Sequence, residues 1–242
     1  MSTRQRLDEA LVARGLCPSR SRARDAVLRG TVKVDGEQAS KPSQIVGANN
    51  VLTIADEAQA YVSRAALKLK HGLSHFGIAA REKHCLDIGA STGGFTQVLL
   101  EEGAAHVTAI DVGHGQMKLQ DPRVTLIEGL NARDLSAAHL AHPVQLIVCD
   151  VSFISLKLAL PPALALAEKG AMLVALIKPQ FEAGKDAIGK GGIVSDPLVH
   201  ERVCREITEF LRGQGWRVLG LTASPVEGGD GNREFLVAAG KV

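Results

Sequence analysis

A glycine-rich loop and four ionisable side chains carry the chemistry legible in this chain. Cys85-Leu86-Asp87-Ile88 is a short apolar run holding one acid, and Gly89-Ala90-Ser91-Thr92-Gly93-Gly94-Phe95 breaks it into small residues. An amphipathic run, Thr96 to Glu102, follows at once. The pattern predicts a parallel strand, a tight turn and a helix, the place where open α/β sheets bind nucleotide-like ligands. A dinucleotide fingerprint needs glycine at the first, third and sixth places, and the third here is Ser91. A phosphate-cradling loop ends in Gly-Lys-Ser/Thr, whereas Gly94 precedes Phe95. A cofactor without phosphates fits better, and S-adenosylmethionine is the candidate. Val107 to Asp111 reads as the second strand, its acid about 20 residues past the glycines, where a ribose-binding carboxylate belongs. The competing account is an ordinary strand-to-helix turn with an unrelated surface aspartate.

Asp150 ends the buried run Val144 to Cys149, and Lys178 ends the next, Met172 to Ile177. Such carboxyl ends line the ligand crevice of an open sheet. Lys68 precedes the first strand on a helix, and Glu234 begins the last strand. Asp150 could instead cap a helix, and either lysine could be a solvated end charge. Together, two acids and two amines at element ends facing one crevice suggest acid–base work. Asp150 is followed by Val151-Ser152-Phe153, not the Pro-Pro-aromatic of enzymes that methylate base amino groups. Strand alternation points Cys149 away from the face that Asp150 uses, which argues against a cysteine nucleophile. A hydroxyl nucleophile remains, and so weak an acid needs a base or a field that stabilises alkoxide. Lysine titrates near pH ~10.4 unless burial or a second ammonium lowers it. Lys178 is the expected base or orienting group, positioned by Asp150, with Lys68 and Glu234 balancing the charge.

The elements that must position these groups begin near Tyr61. Ser63 can cap a helix carrying Arg64, Leu67, Lys68 and His71. Alternating strands and helices follow, including a helix from Pro197 to Arg212. Trp216–Thr222 and Glu234–Ala239 close the chain as strands joined through Glu227 to Asn232. This order predicts a doubly wound sheet with an antiparallel strand near its end. Gly184 to Lys190 starts like a phosphate-binding loop, but Gly191 replaces the hydroxyl residue. Glu182 to Ile193 is expected to be a mobile, basic lid that touches RNA. Phe153 and Phe181 each follow a candidate catalytic residue by three positions and could pack on an extruded base or serve the core.

Residues 1–60 have a separate character. Leu7, Ala10, Leu11 and Ala13 recur at helical spacing, and Ser19 or Ser21 can cap a second helix closed by Gly30. Thr31 to Val34 alternates like a strand, Asp35-Gly36 is a hairpin signal, and Val51 to Ile54 supplies another strand. Asp56 to Ala60 reads as a polar linker. Arg14, Arg20, Arg22, Arg24, Arg29, Lys33 and Lys41 concentrate positive charge, with Arg20 and Arg24 on one helix face. Guanidinium clusters suit phosphate contacts, which position a protein on nucleic acid without reading sequence. A solvated face partly neutralised by Asp25 is the alternative. The element order resembles the small αL-type RNA-binding module of ribosomal and tRNA-handling proteins.

Composition narrows the class. The 242 residues are 45% hydrophobic with a formal net charge of +2, so only the distribution of charge informs on partners. No apolar run reaches the ~18 residues of a membrane span. The charged amphipathic start is unlike a signal peptide. Cys17, Cys85, Cys149 and Cys204 form no CxxC pair, so neither a disulfide frame nor a zinc site is expected, and the chain is expected in the cytoplasm.

Asp-Ile-Gly-Ala-Ser-Thr-Gly-Gly-Phe-Thr from Asp87, Asp-Val-Gly-His-Gly-Gln-Met from Asp111, Asp-Val-Ser-Phe-Ile-Ser-Leu from Asp150, Ile-Lys-Pro-Gln-Phe-Glu-Ala-Gly-Lys from Ile177 and Gly-Asn-Arg-Glu-Phe-Leu from Gly231 together resemble the TlyA family. Its members are ribosomal RNA 2′-O-methyltransferases with an FtsJ-like catalytic domain, and many carry haemolysin names. The likeness spans nearly the whole chain. It implies a Rossmann-like α/β methyltransferase sheet over 61–242 and a small α+β RNA-binding domain over 1–60. It implies a tetrad of Lys68, Asp150, Lys178 and Glu234, and S-adenosylmethionine held by Asp87, Gly89, Ser91, Gly93, Phe95, Asp111, Asn131 and Asp150. Ribosomal RNA, methylated on cytidine ribose, is the implied partner, met by Arg14, Arg20, Arg22, Arg24, Arg29, Lys33 and Arg64. The chain departs from the family at Ala65-Ala66, where glycine is usual, and at His114, where an aromatic is common. Two other function classes compete: a cytolysin, against which the lack of a membrane-crossing pattern argues, and a non-catalytic RNA-binding assembly factor.

Overall fold

The computed structural model describes residues 4–228 and 231–242. The chain divides into two compact units, Met1–Ala60 and Tyr61–Val242.

In the first unit β1 (Gln5–Arg6) leads into α1 (Leu7–Ala13), and α2 (Arg20–Leu28) packs against it. Ser19 caps α2, its hydroxyl accepting from the Arg22 N–H at 3.3 Å. Then come β2 (Val32–Val34), β3 (Glu37–Gln38), β4 (Ile45–Val46) and β5 (Leu52–Ile54). β3, β2 and β5 form an antiparallel sheet, and β1 pairs with β4. Asp35 and Gly36 make the β2–β3 turn with φ of 52° and 88°, as the Asp-Gly signal predicts. Leu7, Leu11, Ala23, Val27, Val32 and Val46 fill a small core. Asp56 to Ala60 differs from the expected linker. Glu57–Ala60 is a 3-10 turn, Ala58 is fully buried, and Asp56 ion-pairs with Arg29 at 2.5 Å. A charged pair and a buried methyl hold this polar stretch to its own domain.

The second unit runs α3 (Ala65–Phe76), β6 (His84–Ile88), α4 (Gly94–Glu101), β7 (His106–Asp111), β8 (Val124–Glu128), β9 (Val144–Cys149), α5 (Leu156–Ala159), α6 (Pro161–Leu166), β10 (Ala167–Ile177), α7 (Pro179–Glu182), α8 (Pro197–Gly213), β11 (Trp216–Ala223) and β12 (Phe235–Lys241). The sheet order is β11-β12-β10-β9-β6-β7-β8, parallel from β10 to β8, with β12 inserted antiparallel beside β10 and β11. β10 is longer than the Met172–Ile177 run because a bulge between Ala167 and Met172 extends its pairing with β9. The connection from Glu227 to Asn232 includes Gly229 and Asp230, which lie outside the described residues.

Alternation along each strand builds two cores. Leu146 and Val148 face one side with Leu69, Leu73, Phe95 and Leu99 of α3 and α4. Ile147 and Cys149 face the other with Leu156 of α5, Leu160 between α5 and α6, and Val203 and Ile207 of α8. With both faces covered, the strands read as near-continuous apolar runs. The chain reverses direction across the sheet between β6 and β9, and that switch point opens a crevice at the carboxyl ends of the strands.

Candidate active site

Each strand end at the crevice delivers one functional group. Gly89 follows β6 at φ 82°, and a Cβ there would meet the Asp150 carbonyl oxygen at 2.5 Å. Only glycine lets the β6 and β9 ends come this close. The loop folds over β7 through Gly89 and Ala90 N–H donations to the Ile110 carbonyl at 2.9 and 3.1 Å. Ser91 takes φ 46°, an uncommon conformation for a side-chain-bearing residue, and its N–H donates to Asp111 Oδ2 at 2.8 Å. Asp111 Oδ1 accepts from the Gly113 N–H at 2.7 Å, so the carboxylate is fixed at the end of β7. Asn131 Oδ1 caps a 3-10 turn by accepting from the Arg133 N–H.

Two connected cavities result. The larger, about 930 Å³, is lined by Gly89, Ser91, Asp111, Asn131, Asp150 and Phe153 among others. The smaller, about 150 Å³, is lined by Ser63, Gly94, Phe95 and Lys178 and shares Gly89, Ser91, Asp150 and Ser152 with it. Apolar Ile88, Ile110, Leu130 and Ala132 flank the acids in the larger one. This combination, an apolar slot with a fixed carboxylate at the second strand and an amide beyond it, fits an adenosine-bearing ligand.

Lys178 and Asp150 form an ion pair at 2.5 Å, with side chains 11% and 15% exposed, and Lys178 also donates to Ser152 Oγ at 2.9 Å. Lys68 on α3 and Glu234 form a second pair at 2.5 Å, both buried. The antiparallel register pairs Ile177 with Phe235, which sets Lys178 and Glu234 side by side at the strand ends. The four residues distant in sequence therefore stand at one rim of the sheet, as two neutralised pairs. Lys178 and Asp150 reach the cavities, whereas Lys68 and Glu234 line neither.

Other expected contacts fall elsewhere. Asp87 is fully buried and lines neither of the two cavities; its Oδ2 accepts from Thr96 Oγ1 at 2.6 Å. Burial, against the Thr96 bond and with Asp150 and Asp111 nearby, pushes its carboxyl up to about 7. It braces α4 against the loop from behind. Gly93, at φ 95°, sits at the N-terminus of α4 beneath Met117 and Leu119 and also lines neither of these two cavities. Phe95 is buried and closes the floor of the smaller one. Burial pushes the Cys149 thiol far above its usual range, consistent with an inert core cysteine.

Several site residues carry no periodic signal. Ser152 touches Lys178, and Gln116 accepts from Ser91 Oγ at 3.0 Å. Phe153 holds φ 64° with 91% of its surface exposed, its ring 5.0 Å from Phe181. An exposed aromatic in a strained backbone at a cleft is a functional pointer. The 182–193 segment is tied down at both ends rather than hanging free. Glu182 accepts from Ser155 Oγ and the Leu156 N–H, and Asn232 bonds Gly192 O and the Val194 N–H.

In the first unit, Arg14 donates to the carbonyls of Asn50 and Gly47, Arg22 to that of Ala58, and Arg29 pairs with Asp56. Arg20 pairs with Asp8 and Glu9 at 3.2 Å yet stays 55% exposed. These guanidiniums hold loops and helices together, which a count of charges cannot reveal. Arg24 and Lys33 are exposed and make no side-chain bond among the described residues. Arg64 stands at the N-terminal end of α3, in the second unit.

Fold and site together define a methyltransferase of the FtsJ-like class: the FtsJ-like methyltransferase family matches residues 61–241, and the S4 domain matches residues 5–52. The chain is 44% identical to the 16S/23S rRNA (cytidine-2′-O)-methyltransferase TlyA of Mycobacterium tuberculosis, over 98% of this chain and 90% of that protein. It is 41% identical to Hemolysin A of Brachyspira hyodysenteriae over 96% and 98% of the two chains. A putative hemolysin from Streptococcus thermophilus superposes with a TM-score of 0.77 at 40% identity, covering 99% of this chain and 89% of that one. The chain belongs to the TlyA family of FtsJ-like methyltransferases, with an S4 domain at its N-terminus.

Proposed function

We propose that this protein transfers a methyl group from S-adenosylmethionine to a ribose 2′-hydroxyl, on cytidine, in ribosomal RNA. The observation that carries this reading is the pairing of Lys178 with Asp150 at the mouth where the two cavities meet. The 2′-oxygen specificity follows relatives whose names specify cytidine-2′-O transfer. When bound, S-adenosylmethionine supplies an electrophilic methyl on a sulfonium. Asp111 would hold its ribose hydroxyls, Asn131 would lie by the adenine, and the Gly89–Ser91 backbone would approach its amino-acid end.

The protein's part is to place an oxygen and handle its proton. As the oxygen–carbon bond forms and the carbon–sulfur bond breaks, the hydroxyl proton must leave. Lys178 Nζ, fixed by Asp150 and Ser152, is the group at the cavity wall that orients the hydroxyl by donating to its oxygen, and the proton passes to bulk water as the methyl arrives. Its charge also stabilises the developing alkoxide. The buried Lys68–Glu234 pair holds α3 against the start of β12, beside Lys178 at the end of β10. Phe153, backed by Phe181, offers a face for a nucleobase whose ribose reaches the site. Arg24, Lys33 and the exposed part of Arg20 supply phosphate contacts from the S4 domain.

The test is mass-spectrometric mapping of ribose methylation in ribosomal RNA incubated with wild-type or K178A protein. Cytidine 2′-O-methylation with the wild type and its loss by more than about 100-fold with K178A is expected. Cofactor affinity, measured by calorimetry, should stay within a few fold. Full activity of K178A would overturn the assigned role of Lys178, and methylation on a base would overturn the hydroxyl chemistry.

A further inference from the structure

The rim of the large sheet opposite the crevice holds a cluster that methyl transfer does not use. His84 and His106 are the first residues of β6 and β7, and the parallel register places them side by side. His142 lies just before β9, the neighbour of β6 on its other side. Residues far apart in the chain thus meet because three parallel strands start on one line. The His84 and His142 rings stack with centroids 4.1 Å apart, and His106 meets His142 edge-on at 5.0 Å. One ring nitrogen from each lies within 4.8 Å of the other two.

The atoms around the rings fit a metal ion better than a packing role. His84 Nδ1 is buried without a hydrogen-bond partner, a state that costs free energy unless something satisfies it. Thr125 Oγ1 engages His106 Nε2 at 2.9 Å, which fixes that ring and leaves Nδ1 to coordinate. The His84 N–H donates to Gln145 Oε1 at 3.0 Å, anchoring the start of β6. His142 is exposed, so an ion has a path in and a water can complete the shell. Three nitrogens on one zinc at about 2.0–2.1 Å stand closer together than these do, and side-chain rotation must close the gap.

We propose that His84, His106 and His142 form a binding site for a divalent transition-metal ion of the Zn²⁺ class. An all-imidazole set selects zinc, cobalt, nickel or copper over the oxygen-seeking magnesium and calcium. The ion would clip together the starts of β7, β6 and β9. Only the folded chain presents all three rings, so binding stabilises the fold by mass action. The site is remote from the crevice by the length of a strand, so it is structural rather than catalytic.

Untagged full-length protein, stripped with EDTA and desalted, is titrated with ZnCl₂ against a chromophoric chelator, and with CoCl₂ while visible absorption is recorded. The expected results are one ion per chain, intense visible cobalt bands and a zinc-dependent rise in Tm. H142A should lose at least about tenfold in affinity, together with the Tm rise, while its methyl transfer stays at the wild-type level. T125V should weaken binding without abolishing it, and H75A, away from the cluster, should bind as wild type. H84Q serves as a second ligand variant, with circular dichroism confirming its fold. No zinc uptake by the wild type, or equal uptake by H142A and H84Q, would overturn the proposal.

Discussion

At the residue scale, the two ion pairs of the tetrad differ in what they touch, and this separates their roles. Lys178 and Asp150 line the cavities, whereas Lys68 and Glu234 are sealed behind them. Removing one partner of a buried pair leaves an uncompensated charge, at a cost of about 3–5 kcal/mol. E234A should therefore lower stability by that amount in urea unfolding, while K178A, at the cavity wall where water reaches the pair, should lower it less. The double variant K68M/E234L should recover much of the stability yet not the activity, if the pair positions the site as well as holding the fold. Asp87 offers a pH test. Its carboxyl is raised from 3.8 to about 7 by burial, so the folded state holds the proton more tightly than the unfolded chain. The stabilisation from this group is complete below pH ~4 and lost as pH rises through about 7, on the order of 4 kcal/mol in all. D87N should remove that slope, so its stability relative to wild type should rise between those limits. A parallel pH profile for the two proteins would contradict the assigned burial.

At the element scale, the loop between β6 and α4 works because its backbone, rather than its side chains, sets the geometry. Gly89 lies against the Asp150 carbonyl, and Ser91 and Gly113 N–H groups hold both oxygens of Asp111. G89A introduces a Cβ into backbone with no space for it, and at a positive φ besides. It should push the β6 and β9 ends apart and weaken S-adenosylmethionine binding by more than about tenfold, measured by calorimetry, with a loss of roughly 1–3 kcal/mol in stability. Phe153 is the counterpart on the substrate side. Its 91% exposure means F153A removes little packing, so its Tm should match wild type. Loss of a stacking face should still cost about 1–3 kcal/mol in the interaction with the target nucleotide, read as a raised KM for RNA.

At the scale of the whole molecule, the proposed function divides labour between an S4 domain that grips RNA and a methyltransferase domain that modifies it. The double variant R24E/K33E should weaken binding to ribosomal RNA and reduce the salt slope by about 1 for each phosphate that no longer meets a cation. Its affinity for S-adenosylmethionine should not change. Arg14 and Arg29 substitutions should instead lower the stability of the S4 domain, since these side chains bond within it. No described helix is long and apolar enough to cross a membrane. Local pattern determined much of this by itself. Glycine spacing marked the loop, apolar runs marked the strands, and the Ser19 cap and Asp35-Gly36 turn bounded their elements, because each is set by neighbours in the chain. The Asp150 and Lys178 positions were legible for the same reason, as ends of apolar runs. Tertiary structure alone decided that Lys68 pairs with Glu234 across 166 residues, that Asp87 turns inward to Thr96, and that Arg29 serves Asp56 rather than the surface. It alone brought His84, His106 and His142 together. Strand order and register choose which distant residues become neighbours, and a linear pattern carries the faces of each element but not its partner.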